Sequence, residues 1–137
     1  PETGCVSRIW EGRLEGDRLI AEGAAVDIAL EDCNWRLTGL AWDGDRLLGL
    51  KTQYPGSRYH IVELDTATGE SVLVQDLTEY LRGVRDHGWG NNVEGIAVAP
   101  DGALWLIGDN AVTGVIDDPY PPETDEKALL VRIPKAQ

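Results

Sequence analysis

The sequence has no methionine and no phenylalanine. A polypeptide without methionine points to removal of a leader, to cleavage of a longer precursor, or to a chain that starts inside a longer gene. Without Phe or Met, a core has to be built from Leu, Ile, Val and the five Trp. Basic residues are scarce: 12 Lys and Arg stand against 24 Asp and Glu, a net charge of −12. That balance argues against nucleic-acid binding, which draws on clustered basic side chains. It suits a solvated acidic surface first and cation binding second. Long apolar runs are also missing. None approaches the ~20 residues that a membrane span needs, and no signal-peptide pattern stands within the chain.

Cysteine is nearly absent. Cys5 and Cys33 stand 28 residues apart, with no CxxC spacing and no second pair to make a zinc site. Two readings remain for them: a disulfide in an oxidising compartment, or two free buried thiols. The missing methionine favours processing and export, hence the disulfide and a periplasmic or extracellular location. There is no GxSxG elbow, no glycine-rich phosphate loop and no His pair at zinc spacing.

Glycine and proline, by contrast, are plentiful. Sixteen Gly and seven Pro punctuate short apolar runs, which favours strands and tight turns over helices. Strands are expected at 6–13, 18–28, 36–42, 46–52, 59–65 and 70–77, then at 93–99, 104–108 and 128–133. Only 78–85 carries helical spacing. Two stretches repeat. Leu37-Thr38-Gly39 through the Asp43-Gly44-Asp45 turn to Leu50 matches Val93-Glu94-Gly95 through Pro100-Asp101-Gly102 to Ile107. Ile61-Val62-Glu63-Leu64 likewise matches Leu130-Val131-Arg132-Ile133.

Four consecutive antiparallel strands, repeated, make a propeller blade. The fold class is therefore all-β, with β-propeller-type repeats of four-stranded antiparallel blades. The chain supplies about two to three of them: a half blade at 5–30, a full blade at 35–85 and a partial blade at 91–137. A closed propeller needs about four blades or more. The favoured readings are another chain that completes the propeller, or further blades of a longer polypeptide. Self-assembly and a free-standing β-sandwich are the other possibilities.

The motifs Val93-Glu94-Gly95-Ile96-Ala97, Pro100-Asp101-Gly102 and Gly108-Asp109-Asn110 resemble a blade of the phytase-like ("esterase-like activity of phytase") propellers. They are also similar to calcium-dependent lactonase and strictosidine-synthase-like propellers. The resemblance spans residue 36 to the C-terminus. It implies that acids and amides on the innermost strands line a central tunnel and that some hold Ca²⁺.

Candidate site residues follow. A hairpin that pairs 93–99 with 104–108 brings Glu94 to one sheet edge with Asp109 and Asn110. These three are the candidate metal ligands, with Asn91 and Asn92 as neighbours of suitable type. Calcium takes about 6–8 oxygen ligands, which carboxylates and amide carbonyls supply. The earlier unit departs from the pattern, with Thr38 in place of Glu94 and Thr52-Gln53 in place of Asp109-Asn110. His87, beside Asp86, is the candidate base, and Trp89, among glycines, a candidate ligand contact. His60 reads as structural, Trp42 and Trp105 as packing between blades. The acidic residues at 117–118 and 123–126 read as a solvated run. The leading functional expectation is an exported phytase-like or esterase-like hydrolase acting on a phosphate or carboxylic ester, with Ca²⁺ as the expected ion. The alternative is a non-catalytic propeller subunit that binds a protein partner.

Overall fold

Nine strands and one helix make up the described part of the chain, residues 4–54, 58–86, 92–109 and 129–135 of a computed structural model. The first two, β1 (Val6–Glu15) and β2 (Arg18–Ala29), form a long hairpin, the first sheet. The central sheet has four antiparallel strands in chain order: β3 (Trp35–Asp43), β4 (Arg46–Gln53), β5 (Arg58–Leu64) and β6 (Ser71–Asp76). Helix α1 (Thr78–Asp86) follows. The third sheet is β7 (Asn92–Val98), β8 (Leu104–Asp109) and β9 (Leu129–Ile133), again antiparallel and in order. The all-β, meandering antiparallel architecture read from the sequence is what forms.

The central sheet is apolar on both faces because both are covered. On one side Leu47, Val62 and Leu64 pack with Ile28, Val26 and Ile9 of the first sheet. On the other, Leu48, Leu50, Tyr59 and Ile61 pack with Val93, Leu106, Leu129 and Val131 of the third. This double burial is why β4 reads as an unbroken run, Leu47-Leu48-Gly49-Leu50, rather than as alternation. The helix closes the second core with Leu77 and Leu81. It is tied to β5 by two bonds: Leu77 N–H donates to the Tyr59 carbonyl at 2.8 Å, and Tyr59 N–H to Thr78 Oγ1 at 3.2 Å.

The repeat extends to the irregularities. The β3–β4 ladder slips between Leu37 and Gly39, and the β7–β8 ladder slips between Val93 and Gly95. The same bulge thus sits at the same place in both units, with Thr38 and Glu94 as its extra residues. The units differ at the turns. Gly44-Asp45 makes a two-residue turn, whereas Pro100-Asp101-Gly102 makes a three-residue one with Gly102 at φ 78°.

Strand β3 lies directly against β7. A Cβ on Gly39 would stand 3.0 Å from Ile96 Cγ2 and 3.2 Å from the Ile96 nitrogen, so glycine permits this approach. The two turns lie side by side and border one cleft, from Trp42 and Asp43 to Pro100 and Gly102. The bulges therefore lie toward the opposite ends of the same two strands. Cys5 and Cys33 stand at disulfide distance, Cα to Cα 5.0 Å, and join the start of β1 to the loop before β3.

Candidate functional site

Glu94 owes its position to the bulge. The extra residue bends β7, and the Glu94 side chain is exposed. The register pairs Asn92 directly with Asp109, and Val93 with Gly108. The edge anticipated from the sequence is therefore present at the backbone: Glu94 lies two residues along β7 from the partner of Asp109. Asn92 Nδ2 donates to Glu94 Oε1 at 3.0 Å, which holds the carboxylate along the strand. Among the described residues, no group of three or more His, Cys, Asp or Glu side chains is gathered to hold a metal. His87, Trp89, Asn91 and Asn110 lie outside the described residues, as does the side chain of Asp109.

The corresponding edge of the central sheet has other chemistry. Thr38 Oγ1 donates to the Leu50 carbonyl at 3.4 Å, across its own bulge. Gln53 Nε2 donates to Asp32 Oδ2 at 3.5 Å. Thr38 is thus bonded within its own unit, and Gln53 to the loop that precedes it.

Two tryptophans part company. Trp105 is half-buried in β8, but Trp42 is 64% exposed. Neither packs between two described sheets, since Trp105 lies on the face of β8 opposite Leu106. Trp42 sits one rung from the turn end of β3, paired with Leu47, where the clefts beside it stay open. One cleft of about 530 Å³ runs from Trp42 past Asp45, Glu63, Asp65 and Glu70. A second, of about 520 Å³, runs between Trp42 and Trp10. Arg46 bridges Asp43 at 2.5 Å and Glu63 at 3.3 Å beside the first, so part of this acidity is neutralised internally. The hydrogen bond and charge of Arg46 hold the Asp43 carboxyl below its ordinary range.

A polar cluster at the margin of the first core went unforeseen. Lys51 is the most deeply buried charge described, at 1% exposure. Its Nζ donates to Glu31 Oε2 at 2.6 Å and lies 5.5 Å from the Trp35 ring centroid. His60, its cross-strand partner, packs its ring against Trp35 at 4.6 Å and faces Asp76 at 3.7 Å. His60 is thus packed within the sheet, beside Trp35 and Asp76. Burial pushes the Glu31 carboxyl up, but the Lys51 hydrogen bond, a backbone bond and nearby positive charge outweigh it and hold the group low. The one sequence signal was a lysine directly after the apolar run of β4, with a histidine on the next strand.

No family model, no curated protein and no solved structure matches the chain. No described helix is long and apolar enough to cross a membrane.

Proposed function

We propose that the chain is part of an exported β-propeller hydrolase of the phytase-like class. Glu94, with Asp109 and Asn110, contributes oxygen ligands to a Ca²⁺ that orients a phosphate or carboxylic ester. The observation that supports this is the Asn92–Asp109 pairing, with Glu94 thrust out by the adjacent bulge. Two strands thereby offer oxygen-bearing residues at one edge, the donor chemistry that Ca²⁺ prefers. Bound there, the ion would supply positive charge to an ester oxygen. Asn92 and Asn91 would help shape the rim, Trp89 would border the ligand, and His87 is the candidate base.

A four-stranded sheet packed between two others, with matching bulges in successive innermost strands, supports the propeller part of the reading. The disulfide-distance pair Cys5 and Cys33 supports export. The test is hydrolysis of a chromogenic phosphate monoester and a short-chain carboxylic ester by the native assembly, with chelator and after Ca²⁺ is restored. Turnover that follows Ca²⁺ supports the reading. Absence of turnover on both substrates in the presence of Ca²⁺ sinks it.

One observation favours a second reading, a non-catalytic propeller subunit that binds a protein partner. Ile107 and Leu130, on the outward face of the third sheet, are both exposed, and no described residue packs a core against them.

A further inference from the structure

The repeat equates positions across the two larger sheets. Matching bulges align Gly39 with Gly95, and matching ladders align Leu48 with Trp105, Leu50 with Ile107 and Ile61 with Leu130. In the central sheet, Leu48, Leu50 and Ile61 are buried, and they are buried by the third sheet. In the third sheet, the equivalent positions point away from the central one. Ile107 is 52% and Leu130 62% exposed, and Trp105 is half-buried. Gly95 and Ala97 flank them on β7, paired with Ile107 and Trp105. Arg132, on the same face, is bridged to Asp101 at 2.6 Å.

We infer that this outward face receives a further antiparallel sheet of the same repeat, carried by a partner polypeptide. The inference rests on the propeller reading above and deepens it by giving the partner's chemistry. The interface already formed between the central and third sheets says what the partner must present. Its innermost strand carries an apolar-x-Gly bulge, as Val93-Glu94-Gly95 does, and the residue after that glycine settles over Gly95 as Ile96 does over Gly39. Its neighbouring strands supply aliphatic side chains in the places of Leu106 and Val131.

A second copy of this chain does not answer the description. Among the described sheets, the two that carry an apolar-x-Gly bulge already have this face covered: Leu47, Val62 and Leu64 by the first sheet, Val93, Leu106 and Val131 by the central one. Each copy also carries a net charge of −12, which opposes self-association.

The experiment is hydroxyl-radical footprinting of Trp105, Ile107 and Leu130, in the chain alone and in the assembly isolated from the cells that make it. Modification in the assembly is expected to fall about fivefold or more, because an interface core excludes water as an interior does. Leu130→Lys is the companion variant. It is expected to keep the circular dichroism and melting temperature of the lone chain while failing to enter the assembly. Equal modification in both samples, or native material that is a lone chain, overturns the inference. An assembly containing only this chain's mass, with the face protected, also overturns it, in favour of a second copy. Ca²⁺ titration separates the two levels. A protected face in an assembly without Ca²⁺ or hydrolysis removes the enzyme and keeps the interface; Ca²⁺-dependent turnover with a reactive face does the reverse.

Discussion

Lys51 Nζ lies 2.6 Å from Glu31 Oε2, the lysine shut away from water and the carboxylate half in it. The pair spans the boundary of the first core and anchors the loop that carries Cys33. Removing only the carboxylate leaves a buried ammonium with the Trp35 face as its remaining described partner. Glu31→Ala is therefore expected to cost about 1–3 kcal/mol in urea unfolding. Lys51→Met, which removes the charge and keeps the stem, is expected to cost less. A Glu31→Ala effect that is unchanged in the Lys51→Met background would show that the pair is not coupled. The pH dependence follows. The Glu31 carboxyl is held below its ordinary value of 4.5 in the folded chain. Its contribution is thus fully present above that value and is lost as pH falls through the lowered one. The stability difference from Glu31→Gln should be flat near neutral pH and shrink only in acid.

Two glycines make opposite predictions from one rule. At Gly39 a side chain meets Ile96, backbone included, so Gly39→Val overpacks the β3–β7 contact and should cost about 1–3 kcal/mol. At Gly83, inside α1, an added Cβ meets nothing within 4 Å. Gly83→Ala should stabilise by about 0.8–1 kcal/mol, since alanine restricts the unfolded chain and favours helix. Thermal melts of both variants check the pair of signs.

The Cys5–Cys33 link closes a separation of 28 residues. In the chain-entropy account such a loop contributes about 3–4 kcal/mol. Cys5→Ser with Cys33→Ser should lower the urea midpoint accordingly, and wild type in reductant should match the double variant. A double variant as stable as the oxidised chain would remove any stabilising role for the bridge.

Glu94 is exposed and lies in a bulge, so Glu94→Gln should leave the melting temperature within error of wild type. If Glu94 ligates Ca²⁺, calorimetric titration of the assembly should show at least a tenfold loss of affinity, the equivalent of about 1.4 kcal/mol. Unchanged affinity would eliminate it as a ligand. Thr38→Ala, at the matching bulge, should leave Ca²⁺ binding unaltered.

Much of the strand order was legible because turn chemistry punctuates this chain. Asp43-Gly44-Asp45 and Pro100-Asp101-Gly102 mark reversals whatever surrounds them, and each strand was placed to within one or two residues of its observed ends. The alignment of Gly39 with Gly95 was legible too, but that both mark bulges became visible only in the ladders. Lys51 was not read as buried, because lysine in a strand ordinarily snorkels to solvent; its burial depends on a loop twenty residues earlier. Trp42 misled for the converse reason. A large apolar residue in a strand reads as core, yet Trp42 stands near the turn end of β3, where open clefts border it and leave it 64% exposed. The candidate Ca²⁺ edge was legible only as far as backbone register carries it.

The two apolar clusters share no side chain: one joins the first sheet to the central one, the other the central sheet to the third. Stability in such a stack passes from neighbour to neighbour, and it frays from whichever end is held more weakly. One end is fastened covalently through Cys5 and Cys33; the third sheet has no covalent cross-link among the described residues. In the isolated oxidised chain, amides of β9 should therefore exchange with deuterium before those of β2, and reduction should narrow or invert that order. Redox state thus sets the direction in which this molecule comes apart.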